Sequence, residues 1–330
     1  LKIGLGWNPR ESAFRVERSL PSSLPEPPIV ISFDVEEHFR IEAAANVTCS
    51  TDLRQVYSDR MDASTRRLLD QLGEAQTLAT FYIVGQIAVT HPKLVKDIAG
   101  AGHEIGSHSW EHLRVHRLNP ASFREDLKRS IGALEQASGA AVKGFRAPTF
   151  SVMKETAWVV DALAESGLRY DSSIFPVRHD RYGVPSAPRT PFVLLGNQRQ
   201  ILELPPATYR RFGQNMPVAG GGYFRLFPLG FMRAGIAQLS ERAAPPSVSM
   251  LYFHPWEFDP GQPKLPLNRL SRFRTYVGIG RSTARLGRLF ERYSGRFRRA
   301  IDVVEELEMR LEMLPRFRLD GENRGTESPG

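Results

Sequence analysis

Residues 28–37 read Pro-Ile-Val-Ile-Ser-Phe-Asp-Val-Glu-Glu. The apolar run, interrupted only by Ser32, ends on Asp34, which is the pattern of a strand buried on both faces whose carboxyl end meets polar groups. The pattern recurs in TLATFYIV (77–84), HEIGSH (103–108), VKGFRAP (142–148), RYDSS (169–173) and VSMLYFH (248–254). Between these lie helical spacings: 61–73, stopping at Gly73; 86–100, with Pro92 as an interruption or first-turn residue; a helix opened by Asn119 and Pro120 and running to about Ala137; and 153–166. Repeated strand–helix alternation predicts a parallel α/β arrangement. Asp34, His108, Arg146, Asp171 and His254 all fall at or just beyond expected strand ends. In α/β barrels that face carries the active site.

Composition narrows the class. Of 330 residues 41% are hydrophobic, 24% charged and 10% aromatic, an ordinary globular mix. No run approaches the roughly 18 apolar residues of a membrane span. The first residues lack the basic-then-apolar layout of a signal peptide, although the chain begins with Leu1 rather than Met. These features predict a cytoplasmic protein or one peripheral at the cell envelope. A single cysteine, Cys49, excludes an internal disulfide framework and a Cys-rich zinc site, so a metal would be held by His and carboxylates. The net charge of +8 is concentrated: Arg269 to Arg299 holds ten arginines and one acid, Glu291. That stretch reads as a solvated helix face or as a contact for polyanion, anionic lipid or a lipid-linked glycan. No nucleic-acid module is present.

Two motifs carry chemistry. His108-Ser-Trp-Glu-His112 places two imidazoles four residues apart, so on a helical turn both reach one divalent metal. His103 and His116 read as structural and solvated. In Asp34-Val35-Glu36-Glu37, strand alternation points Asp34 and Glu36 one way and Glu37 the other. One carboxylate can then complete a two-His, one-carboxylate site while the other acts as base.

The ordered set SFDVE (32–36), SHSWEH (107–112), FRAPTF (145–150), RYDSS (169–173) and LYFHPWE (251–257) resembles the five motifs of the NodB-homology polysaccharide deacetylases, carbohydrate esterase family 4. The D-V-E form of the first motif resembles the subgroup found with exopolysaccharide gene clusters, as do the segments at 179–189, 220–226 and 254–263. The resemblance implies a distorted (β/α) barrel with a helical C-terminal extension. The expected layout is an N-terminal arm (1–27), a catalytic domain (28–265), a basic helical extension (266–318) and a disordered tail (319–330). It implies Asp34 as general base and Arg146 as the residue that orients it. His108 and His112 become metal ligands. Most members carry a second Asp directly after the base; Val35 stands there here, which shifts the third ligand to Glu36, with Glu37 as the alternative. Thr149 would offer a backbone N–H to the oxyanion. His254 would be the general acid, with Asp171 as its carboxylate partner.

The implied reaction is N-deacetylation of N-acetylhexosamine units in an exopolysaccharide or its precursor, with a divalent metal, zinc suiting two imidazoles and a carboxylate. De-O-acetylation, hydrolysis of a small cyclic amide, and an inactive glycan-binding protein are the alternatives. Trp110, Tyr182, Tyr223 and Trp256, with Phe39, are candidate sugar-stacking aromatics. Gly220–Gly222 reads as a mobile or tight loop near the site, since it lacks a P-loop context.

Overall fold

The structure, a computed structural model, describes residues 26–179, 181–241 and 246–321. Nearly all of the expected arm and most of the expected tail therefore lie outside the described residues. In chain order the elements are β1 (Ile29–Val35), α1 (Thr51–Glu74), β2 (Thr80–Ile83), α2 (Gly85–Thr90), α3 (Pro92–Gly100), β3 (Glu104–Ser107), α4 (Pro120–Ser138), β4 (Gly144–Phe145), α5 (Val159–Glu165) and β5 (Tyr170–Asp171). They continue with β6 (Phe192–Leu195), β7 (Gln200–Glu203), the hairpin β8 (Thr208–Arg211) and β9 (Gln214–Pro217), then α6 (Gly221–Leu226), α7 (Leu229–Ser240) and β10 (Ser249–Phe253). The C-terminal part supplies α8 (Arg269–Tyr276), α9 (Ser282–Arg292), β11 (Phe297–Arg298), α10 (Ala300–Glu308) and β12 (Arg316–Arg318).

Strands β10, β1, β2, β3, β4, β5 and β7 lie side by side and parallel. Beyond β7 the chain reaches β10, where the Ala207 N–H donates to the Met250 carbonyl at 2.9 Å beside a parallel bridge from Pro206. That contact closes the ring. β6 runs antiparallel to β7 and carries β12 outside it, while β11 takes the early residues of β1.

Burial on both faces explains why β1 is apolar at nearly every position rather than at alternate ones. Ile31, Phe33 and Val35 join the larger apolar cluster with residues of the surrounding helices, whereas Val30 joins Tyr82, Tyr170 and Met250 in a second cluster. Along that second row Val30, Ser32 and Asp34 follow at every other position, apolar first and acidic last. The same cluster holds Ala300, Val303, Val304 and Leu307 of α10. The first turn of α10 is tied to strand starts, Ala300 N–H to Thr80 Oγ1 at 2.8 Å and Ile301 N–H to Glu104 Oε2 at 2.9 Å. Helix α10 thus plugs the end of the barrel opposite the strand carboxyl ends.

Local signals transferred unevenly. Asn119 caps α4 as expected, accepting from Ala121 and Ser122 N–H. The helix expected at 61–73 starts ten residues earlier, capped by Ser50, because the first turns of α1 are largely exposed and carry little apolar periodicity. Pro92 opens α3 and separates it from α2. The helix expected at 153–166 is a 3₁₀ turn followed by the shorter α5.

Candidate active site

The carboxyl ends of β1, β3, β4 and β10 converge on a cavity of about 150 Å³ lined by Asp34, Glu36, His108, His112, Thr149 and His254, among others. Asp34 is buried, and its Oδ1 accepts from Arg146 Nη1 at 2.6 Å. Arg146 is wholly buried and every part of its guanidinium is engaged: Nη1 also donates to Ser32 Oγ, Nη2 to Ser172 Oγ, and Nε to the Ser172 carbonyl. Its guanidinium carbon lies 4.1 Å from the Tyr82 ring centroid, a stacking that suits arginine better than lysine.

His108 and His112 do not lie on a helical turn. Ser109 and His112 have φ of +65° and +63°, the left-handed region, and this breaks the helix that the spacing suggested. The tight turn still brings the rings to 4.9 Å, and Ser109 Oγ secures it by accepting from the His112 N–H at 2.9 Å. Glu36 joins them, and one donor atom from each of the three falls within 4.8 Å of the others. Glu37 is drawn away by Arg40 at 2.5 Å, so strand alternation predicted the sides correctly.

These residues fit a divalent cation. His108 Nδ1 lies 2.7 Å from the Arg146 carbonyl; donation there fixes the tautomer that leaves Nε2 as a ligand. Burial pushes His108 down to about 4, so the imidazole is neutral as a ligand must be. Glu36 Oε2 is buried with no hydrogen bond of its own, although His112 Nε2 is 2.5 Å away. Burial alone would raise this carboxyl, but the His112 imidazole against it and the charge of His254 hold it well below the ordinary carboxylate range. Such an ionised acceptor is what a cation would satisfy.

His254 faces the two acids, its Nε2 3.7 Å from Glu36 Oε1 and 3.9 Å from Asp34 Oδ2. Its expected partner is corrected: Nδ1 lies 2.6 Å from Glu257 Oε1, not on Asp171. Glu257 in turn accepts from Arg225 Nε at 2.8 Å. Burial pulls the imidazole down, but the hydrogen bond to Glu257 and the charges of Glu36, Glu257 and Asp34 push it up to about 9. Asp171 is engaged elsewhere, accepting from the Ser172 N–H and Ser173 Oγ and pairing with Glu203 in the β5–β7 register. Burial raises Asp171 to about 6, burial and the Asp171 charge raise Glu203 well above the ordinary range, and Asp171 Oδ2 and Glu203 Oε2 are buried without a hydrogen-bond partner. The chain spacing offered a signal for Glu257, three residues after His254; none pointed to Arg225 or Glu203.

Thr149 lines the cavity with φ +56°. Tyr182 and Trp256 line it, while Trp110 and Tyr223 do not. Trp110 stacks under Arg129 and packs at Gly85, and Tyr223 stacks on Phe227. Tyr252, Phe150, Ala147, Ile41 and Glu42, not anticipated, complete the wall.

With this geometry in hand, residues 49–170 match the polysaccharide deacetylase family. The matched segment contains His108, His112, Arg146 and Thr149; Asp34 and Glu36 precede it. Residues 172–305, including His254 and Glu257, match a domain of unknown function (DUF3473). A peptidoglycan-N-acetylglucosamine deacetylase of Bacillus cereus is 28% identical over 120 residues, 33% of this chain and 44% of that protein. Chitin deacetylase 2 of Saccharomyces cerevisiae is 34% identical over 101 residues, 31% of each chain. The chain thus spans less than half the length of these relatives. A crystal structure of a candidate polysaccharide deacetylase from Mycobacterium smegmatis aligns with a TM-score of 0.59 at 21% identity, over 90% of this chain and 96% of that one. The fold is the mostly parallel α/β fold of the NodB-type deacetylases.

Proposed function

We propose that the chain is a metal-dependent N-deacetylase acting on N-acetylhexosamine units of a bacterial exopolysaccharide or its precursor. One observation carries the reading: a carboxylate tied to a buried arginine and an imidazole kept charged by a buried carboxylate face one cavity, beside a Glu–His–His cluster. The names of the relatives support the acetamido-sugar class, and the D-V-E motif supports the exopolysaccharide setting.

A divalent cation such as zinc, held by Glu36, His108 and His112, would polarise the acetamide carbonyl and acidify a water. Asp34 accepts the proton of the attacking water, with Arg146 fixing its Oδ1 and leaving Oδ2 toward His254. His254, protonated below about pH 9, delivers a proton to the departing nitrogen, which otherwise leaves as a strongly basic anion. The left-handed bend at Thr149 supports a backbone donor for the oxyanion. Tyr182 and Trp256 offer faces for the sugar ring.

The test combines metal content by mass spectrometry with acetate and free-amine release from N-acetylglucosamine oligomers. Near-stoichiometric metal should be lost in Glu36→Ala and kept in Glu37→Ala, with acetate and amine formed together by the wild type. Acetate release from an O-acetylated glycan, with none from the N-acetylglucosamine oligomers, would move the reading to an O-acetyl ester. A wild type that takes up no metal after zinc supplementation would defeat it.

A further inference from the structure

We infer that α8 is a docking surface for an anionic phospholipid bilayer, held next to the catalytic cavity. The basic stretch Arg269–Arg299 is not uniformly available for such a role. Arg285 donates to the Phe227 carbonyl, Arg296 to the Pro27 carbonyl, and Arg299 to Asp302 and the Gly102 carbonyl, so these three hold the fold together. On α8 the situation differs. Arg269, Arg272 and Arg274 are exposed and form no ion pair among the described residues. Between them Leu270 and Phe273 are 59% and 57% exposed.

At 3.6 residues per turn Arg269, Phe273, Leu270 and Arg274 occupy one continuous arc of the helix, with buried Thr275 on the other side. An apolar pair flanked by arginines is the composition of a helix lying in a lipid interface. A water-soluble polyanion would use the arginines but give exposed leucine and phenylalanine nothing to bury against. The chain's own first 25 residues, with four Lys and Arg against two Glu, do not complement this charge either. The bilayer satisfies both chemistries, phosphate for the guanidinium groups and acyl chain for the two apolar side chains.

The helix is tied to the active site. Tyr276 Oη, on its last turn, lies 2.8 Å from His38 Nε2 and accepts from the Leu265 N–H. The His38 ring sits 4.7 Å from that of Trp256, which lines the cavity. Docking through α8 would therefore hold the cavity at the lipid surface. The inference concerns binding and is independent of the reaction, so either can fail without the other.

Flotation with phosphatidylcholine vesicles, with and without phosphatidylglycerol, tests it on the full chain. Wild type should float only with phosphatidylglycerol and detach in part as salt rises. Arg269→Glu with Arg274→Glu should weaken binding on the order of tenfold or more. Leu270→Ser with Phe273→Ser should abolish the part that survives raised salt, with unchanged circular dichroism. Reversing the exposed Lys128 and Lys154 should leave binding intact. The inference is overturned if wild type ignores phosphatidylglycerol, or if the lysine control weakens binding as much as the α8 pair. Salt-sensitive heparin binding with no effect of the Leu270 and Phe273 changes on flotation would also overturn it, in favour of a soluble polyanion.

Discussion

Glu257→Gln isolates the group that sets the charge of His254. The imidazole is raised from 6.5 to about 9 with its side chain only 18% exposed. Burial opposes that shift, so the hydrogen bond and charge of Glu257, 2.6 Å from Nδ1, must outweigh it together with Glu36 and Asp34. A shift of this size corresponds to on the order of 3 kcal/mol favouring the folded, protonated form. Because the folded pKa lies above the unfolded one, this stability is fully present below about pH 6.5 and is lost as pH rises through about 9. Glutamine keeps an acceptor for Nδ1 but removes the charge, so burial should bring His254 down by about two units. The variant also leaves buried Arg225 without its carboxylate, which costs about 3 kcal/mol at all pH values and is separable as a constant offset. The assays are imidazole NMR titration and urea unfolding across pH 6–10 on the metal-free chain. The same His254 midpoint in both proteins, or the same loss of stability between pH 6.5 and 9, would refute the reasoning. In the deacetylation assay the alkaline limb should move down with the imidazole.

Other perturbations follow from the same contacts. Arg146→Met strands buried Asp34 and should cost about 3–5 kcal/mol in chemical denaturation, with deacetylation reduced on the order of a hundredfold; a stable, fully active variant would contradict the pairing. A proton held between Asp171 and Glu203 predicts that Asp171→Asn or Glu203→Gln alone, which replaces it with an amide N–H, costs less than about 1 kcal/mol. The double variant should cost clearly more than the two singles together, and simple additivity would show that the acids do not share a proton. At Gly220, φ +154°, an added Cβ would stand 1.7 Å from the Tyr252 carbonyl oxygen of β10. Gly220→Ala should therefore lose about 3 kcal/mol or more by denaturant midpoint, and a neutral result would mean that the loop re-forms freely.

Much of the site was legible because its signals are local. Alternation along one strand puts Asp34 and Glu36 together and sends Glu37 to Arg40, whatever the rest of the chain does. A histidine pair four residues apart is confined to one neighbourhood by the chain itself, so the rings meet even though the turn is not helical. Failures arose where the answer depended on elements far apart in sequence. Trp110 and Tyr223 stand near motif residues in the chain, yet packing against α4 and against Phe227 takes them out of the cavity wall.

The sequence by itself determined that apolar strands end in polar residues and that Asp34, His108, Arg146 and His254 stand at such ends, because burial and side-chain direction in a strand are set over a few residues. Only the tertiary structure decided that Glu257, backed by Arg225, holds His254 while Asp171 turns to Glu203. A carboxylate's partner depends on distances of a few ångströms across strands joined by long connections. Those distances exist only once the barrel has closed, with β10 beside β1 and Ala207 bonded to Met250.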